Sequence, residues 1–380
     1  MASPRRSASS AALTASQPGL DGASRGLISG ALFKVTRESA DLTQQDLADA
    51  LGVDKTTVQA WESGRRPLMS VRTGTAVSLR FELLELGADP DLVKSLDAAS
   101  EADHLLDRLI DGNPADPRHP LATRVLPQPV FDLLAWPLNP TPPRVTTSTT
   151  RPNRRGPVTA APMLSAIDRS MLLRKLRTAA ENPPTSAERA PLVRRQIAYL
   201  ASFDGARATN EWLAELRASV RWSTQGDGWS PQWAEARSIA VGLGRQGNPD
   251  ALARFVDAGR DSDSWETANL NYWAYWVGET NRIERDDSFM ASGLGRWRGL
   301  TLLDHLTARI EPGANHLTLN VHTVWSLLLR RRNLLEDDAE LTRSLALRVG
   351  MLLDAADVAP RVRTDLEQIR SALALAQVHI

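Results

Sequence analysis

The residues best suited to chemistry lie between positions 42 and 67, in the stretch LTQQDLADALGVDKTTVQAWESGRRP. Lys55, Thr56 and Gln59 place an ammonium, a hydroxyl and an amide close together in the chain. These are side-chain types that hydrogen-bond the base edges exposed in a major groove. Arg65 and Arg66 follow as cations suited to clamping phosphates.

For those groups to converge, short helices must hold them. Thr43 stands three residues before Asp46, close to the reciprocal arrangement that satisfies the free amides of a helix start. Leu47, Ala48 and Leu51 then share one face, and Ala48 is small enough for a second helix to cross closely. Gly52 stops the first helix, because a left-handed backbone is cheap for glycine and costly for residues with a Cβ. Asp54 is expected to cap the next helix, in which Val58 and Trp61 face the core and leave Lys55, Thr56, Gln59 and Ser63 outward. Two short helices at a steep angle, the second leading with small, polar and basic side chains, form the geometry that puts base-reading residues into a groove.

The stretch resembles the Cro/repressor (Xre-like) helix-turn-helix family. Leu42, Thr43, Gln44, Leu47, Ala48, Leu51, Gly52, Val53, Val58, Glu62 and Gly64 stand where that family has them, within a segment from Leu32 to Arg66. The resemblance implies a sequence-specific DNA-binding transcriptional regulator. It implies that Gln44 and Ser63 hydrogen-bond phosphates, which fixes register and not sequence. Lys55 and Thr56 match its base-edge positions, and Lys55 is placed to donate to guanine O6 and N7. Ala60 matches a third such position, with only an apolar contact to offer, while Thr57 and Gln59 are neighbours within reach of base or backbone. Arg37 matches a position that pairs with Glu62; this pair and Trp61 are expected to brace the motif. After Pro67, LMSVRTGTAVSLRFELLELG departs from the family's spacing before its fourth helix. Because one recognition helix reads only a few base pairs, a homodimer on double-stranded DNA is expected.

The totals fit such a protein. A chain of 380 residues exceeds one hydrophobic core and predicts two domains with a connection. Its formal charge of zero argues against coating nucleic acid or membrane by bulk electrostatics, so DNA contact must be local. The absence of cysteine excludes disulfides, thiolate zinc sites and a cysteine nucleophile. No run approaches the roughly 20 apolar residues of a membrane span, and a soluble, cytoplasmic, nucleoid-associated protein is expected. Arginine far outnumbers lysine, which occurs only at Lys34, Lys55, Lys94 and Lys175, a bias of GC-rich bacterial genomes.

Residues 1–24, rich in Ser, Ala and Gly, read as a disordered leader. Residues 25–112 read as the helix-turn-helix domain of short helices, with Gly52, Gly64 and Gly87 as stops. The proline density of residues 113–162 predicts an extended linker. Within it VFDLLAWPL is an apolar island whose Phe131, Leu134 and Trp136 either pack on the chain's own domains or dock another protein. From 163 to 380 apolar residues recur at three- and four-residue spacing, predicting about ten amphipathic helices, with Ser230 and Asn248 as caps ahead of prolines. The fold class is therefore all-α: a repressor-like helix-turn-helix bundle, a Pro-rich linker and a C-terminal helical array. Helix pairs of this size resemble tetratricopeptide-like solenoids, and ANLNYWAYWVGE is similar to a block in long actinobacterial Xre-type regulators.

Nine of the eleven tryptophans fall between Trp212 and Trp325. They either wedge between helices or line a pocket for a hydrophobic or cationic effector, with Tyr272, Trp273, Tyr275 and Trp276 the best candidates for such a site. A peptide or protein partner for the helical domain is the other option. No catalytic residue, cofactor or metal is expected. His316 and His322 are six apart and split across a helix. ASGLGRWRGL lacks both a preceding strand and the lysine of a phosphate loop. The rival expectation is an adaptor or antitoxin-like protein whose helical domain binds a protein.

Overall fold

Apolar residues at helical spacing and good start signals make every described element of this chain helical. The structure is a computed structural model that describes residues 26–147, 161–183, 186, 189–220, 229–260, 262–280, 282–295, 297–331 and 333–377. The expected leader, residues 148–160 of the expected linker, and Trp222 lie outside the described residues. Five helices open the fold: α1 (Leu27–Ser39), α2 (Gln44–Leu51), α3 (Lys55–Glu62), α4 (Thr73–Glu85) and α5 (Pro90–Asp111). The reciprocal bonding at the start of α2 is formed: Asp46 N–H donates to Thr43 Oγ1 at 3.1 Å, and Thr43 N–H to Asp46 Oδ2 at 2.8 Å. Gly52 closes α2 with φ 63°. Asp54 occupies the start position of α3, but its side chain accepts no capping bond.

Unlike the short helices expected up to Gly112, α5 runs for 22 residues. It caps α1 from a distance. Ile28 N–H and Ser29 N–H donate to the two carboxylate oxygens of Asp103, each at 2.8 Å. Burial pushes the Asp103 carboxyl up to about 7, against the lowering effect of those bonds. At the other end of α5, Lys175 Nζ donates to the Ile110 and Gly112 carbonyls, which satisfies part of what a helix C-terminus leaves unpaired.

The proline-rich stretch is not an extended tether where it is described. It contains a 3-10 turn (Pro120–Ala122), α6 (Gln128–Ala135), a second 3-10 turn (Trp136–Leu138) and α7 (Arg144–Thr147). Pro120, Pro129 and Pro137 sit in the first turns of these elements, where a missing N–H costs nothing. Phe131, Leu134 and Trp136 are buried against the chain itself. Buried Gln196 fastens the approach to α6 by accepting from Leu126 N–H and donating to the Leu121 carbonyl, both at 2.8 Å.

The remaining helices are α8 (Ala166–Glu181), α9 (Ala190–Ala201), α10 (Arg207–Ser219), α11 (Pro231–Arg245), α12 (Pro249–Gly259), α13 (Asp263–Trp276), α14 (Leu300–Thr307), α15 (Leu317–Arg330), α16 (Leu334–Asp337), α17 (Ala339–Asp354) and α18 (Pro360–Gln377). Ser230 caps α11 by accepting from Trp233 N–H, whereas Asn248 makes no side-chain cap for α12. α11 packs on α9, α10 and α12, while α15 meets α12, α13, α14 and α18. This is broader than the neighbour-only stacking of a solenoid. Trp233, Trp265, Trp273 and Trp276 are buried between these helices, as wedges. One hydrophobic core runs from Ile28 to Leu373. Among the described residues no helix is long and apolar enough to cross a membrane.

Two buried charge clusters fix the array. Arg195 and Asp287 form an ion pair with both side chains nearly inaccessible. His322 Nε2 lies 2.5 Å from Glu266 Oε1, and its Nδ1 lies 3.5 Å from Asp365 Oδ2. Burial works against a charge on His322, but Asp365 and Glu266 outweigh it and hold its pKa up at about 9. A histidine raised in the folded state stabilises fully below its unfolded pKa, near 6.5, and loses that contribution as pH rises through about 9. The chain should therefore lose about 2 to 2.5 kcal/mol between pH 7 and 9.5 from this residue, a window above the Asp103 transition. Chemical denaturation of the wild type and His322→Gln at both pH values checks this; an equally steep loss in the variant would rule the assignment out.

Candidate nucleic-acid interface

The candidate surface is built on how α3 is seated. Val58 and Trp61 are buried, and Trp61 meets Phe33 of α1 edge-on at 5.9 Å. Gly30 permits the crossing: a Cβ there would lie 2.5 Å from the Trp61 carbonyl oxygen and 2.8 Å from that of Glu62. The end of α3 is then locked by charge. Arg37 Nε donates to Glu62 Oε1 at 2.5 Å, and its Nη1 donates to the Leu42 carbonyl. Arg37 and Glu62 are both buried, so the expected brace of Arg37, Glu62 and Trp61 is in place.

A link not anticipated from the sequence joins this brace to the outer face of α3. Gln44 Nε2 donates to Glu62 Oε2 at 2.6 Å, and Gln59 Nε2 donates to Gln44 Oε1 at 3.3 Å. Gln44, expected on a phosphate, and Gln59, expected near a base, are thus tied to each other and half-buried. One amide hydrogen per side chain suffices for these bonds, so each keeps a second donor. Their shared residue type was the only trace in the sequence.

Lys55 and Thr56, in the first turn of α3, are exposed. Thr57, Ala60 and Ser63 are half-buried along the same helix and its end. Arg65 and Arg66 are exposed in the turn that follows. Arg65 Nε donates to Ser63 Oγ at 3.1 Å, and that hydroxyl donates to the Ala60 carbonyl at 3.3 Å. The arrangement is a rigid, short helix whose leading turn carries free donors and whose trailing turn carries guanidinium groups. A helix that read bases with its leading turn and held phosphates with its trailing turn would need that arrangement.

In the C-terminal array, Tyr272, Trp273 and Trp276 do line a cavity of about 240 Å³. Tyr275 does not: its hydroxyl donates to the Val125 carbonyl at 2.7 Å, and its ring packs on Phe289. Of the two ligands expected for these rings, hydrophobic or cationic, the cationic one is disfavoured, because Arg144, Arg237, Arg245 and Arg309 also line the cavity. These arginines escaped the sequence reading because singly placed charges on amphipathic helices look like solvated faces.

Residues 34–71 match a family model described as helix-turn-helix. No curated protein and no solved structure matches the chain.

Proposed function

With residues 34–71 forming a helix-turn-helix of the Cro/repressor type, we propose that the protein is a sequence-specific transcriptional regulator that reads the major groove of double-stranded DNA as a homodimer. The observation that carries this reading is the exposed leading turn of α3, with Lys55 and Thr56, on a helix pinned by the Arg37–Glu62–Gln44 network. Lys55, Thr56, Gln59 and Ala60 face bases in this reading. Gln44, Thr57, Ser63, Arg65 and Arg66 hold phosphates. The protein acts in the cytoplasm at the chromosome, without catalysis or cofactor, and the C-terminal array dimerises or senses.

Dimerisation is supported by α4. Val77, Phe81 and Leu84 are 43%, 63% and 40% exposed and recur at helical spacing on one face, with Met69, 50% exposed, just before the helix. An apolar stripe on a helix that packs against α2 and α5 of the same bundle suits a second copy of the chain, and two half-sites recover affinity that one recognition helix lacks. The rival, an adaptor or antitoxin-like protein whose C-terminal helical array binds a protein partner, gives this stripe no second copy and would elute as a monomer.

Selection of DNA from a random pool by the full-length protein tests the reading. An inverted repeat with half-sites about one helical turn apart is expected; a flat pool would refute it. Salt gives a second check. If Arg65 and Arg66 of both copies each neutralise a phosphate, converting them to alanine should reduce the slope of log affinity on log salt by roughly 3 to 4. The preferred sequence should not change. An unaltered slope would remove these arginines from the footprint.

A further inference from the structure

The C-terminal cavity combines an aromatic lining with an excess of positive charge. Tyr199, Phe203, Tyr272, Trp273 and Trp276 contribute rings, and Arg144, Arg237, Arg245 and Arg309 contribute guanidinium groups. Among the described residues none of these four arginines forms an ion pair, although ion pairs bind other arginines of the array, such as Arg194, Arg195 and Arg260. One carboxylate, Asp132, also lines the cavity; it accepts from Gln128 Nε2 at 2.9 Å, and burial raises its pKa. Even with Asp132 ionised, the lining carries three more positive charges than negative ones.

The positions of these cations show what is missing. Arg237 is 4% exposed and lies over the Tyr272 and Trp273 rings at 4.3 and 5.1 Å. Its Nε donates to Asn269 Oδ1 at 3.0 Å, but its Nη2 has no hydrogen-bond partner, and neither has Trp273 Nε1. Arg245 lies over Tyr199 and Phe203 at 4.7 and 4.0 Å. Arg309 Nη1 donates to the His305 carbonyl at 2.9 Å. Burial, helped by neighbouring arginines, pushes Arg309 and Arg237 down to about 10, and holds His305 at about 2 and His316 at about 4. Ring faces soften a buried guanidinium, yet a buried charge without a counter-charge is costly. An oxyanion supplies that counter-charge, and guanidinium groups recognise planar carboxylates and phosphates in particular.

We propose that this cavity is an effector site for a small organic anion, a carboxylate or phosphate carried on a planar, aromatic body. The rings would hold the body, while Arg237, Arg245 and Arg309 neutralise the oxyanion. The proposal rests on the regulator reading only for its consequence; ligand binding is measured without DNA, so the two can fail separately.

The test is titration of the full-length protein, followed by tryptophan fluorescence and calorimetry, with benzoate, indole-3-acetate and phenyl phosphate. Benzamide is the neutral isostere, and inorganic phosphate is the anion without a ring. Saturable binding of at least one aromatic anion, at least tenfold tighter than benzamide, is expected. The winning probe separates a carboxylate from a phosphate ligand. Arg309→Gln and Arg245→Gln, both at partly exposed positions, should each weaken it at least tenfold while leaving the circular dichroism and melting temperature near wild type. Arg237 is too central to the packing to serve. Absence of saturable binding by all three aromatic anions would overturn the proposal. So would benzamide binding as tightly, inorganic phosphate binding as tightly as the aromatic anions, or unchanged affinity in both folded variants.

Discussion

Converting Lys55 and Thr56 together to alanine should erase the preference for the selected DNA while leaving the fold intact. Both side chains are exposed in the first turn of α3 and take no part in the brace beneath it. Their removal therefore costs the folded state little. On DNA the Lys55 ammonium brings three donors to a site where guanine offers two acceptors, and Thr56 brings a hydroxyl that suits either base edge. Each good contact discriminates by about 1–3 kcal/mol, so the pair should shift the ratio of selected to scrambled DNA by roughly 30-fold or more. Affinity for scrambled DNA at low salt should fall far less, because it rests mainly on phosphate contacts. Competition binding with both DNAs reads this directly. A variant that kept the wild-type ratio would place sequence reading elsewhere in the chain.

Loss of Glu62 should be among the most damaging single changes in helices α1 to α3. Its carboxylate accepts from Arg37 at 2.5 Å and from Gln44 at 2.6 Å, and it is 2% exposed. Glu62→Ala leaves the Arg37 guanidinium, itself 5% exposed, with only the more distant Glu38 carboxylate at 3.5 Å as counter-charge. Breaking one side of a buried ion pair costs about 3–5 kcal/mol. That is a large fraction of the stability of a small domain. Amide exchange should show α1 to α3 opening at lower free energy by that amount, and DNA binding should weaken with it. Replacing both partners, Arg37→Met with Glu62→Met, should recover much of the loss, since matched apolar residues avoid the stranded charge. A cost below about 1 kcal/mol in the single variant would mean that the pair is a bystander.

Legibility in the sequence followed the reach of the interactions. The turn between α2 and α3 was readable because Thr43, Asp46 and Gly52 act within a few residues of themselves. The C-terminal helices were readable because their apolar spacing is local, and SPQWAEARSIAVGLG, for example, became α11. Interactions across long separations were invisible. Asp103 capping α1 spans 75 residues, and Gln196 fastening Leu126 spans 70; a lone aspartate or glutamine advertises no such partner. The prolines of 113–162 misled for a related reason. Proline breaks a helix interior yet favours a helix start, and only the surrounding core decides which role it takes. The residues proposed to face bases came from the family resemblance, whereas the Gln44–Gln59 link and the arginines of the cavity required coordinates.

The double grip on α5 has a mechanical consequence. Lys175 holds its last turn to the C-terminal array, while Asp103 and the packing of α1 load the recognition module onto its earlier turns. α5 is thus a lever with its fulcrum in the array. A helix of 22 residues is about 33 Å long, so a tilt of roughly 10° at the fulcrum sweeps the far end through about 6 Å. Base pairs repeat about every 3.4 Å along the duplex. If the helix-turn-helix reads DNA as proposed, a repacking that tilted α5 by that much would carry its far end through nearly two base-pair steps without any change in α3 itself.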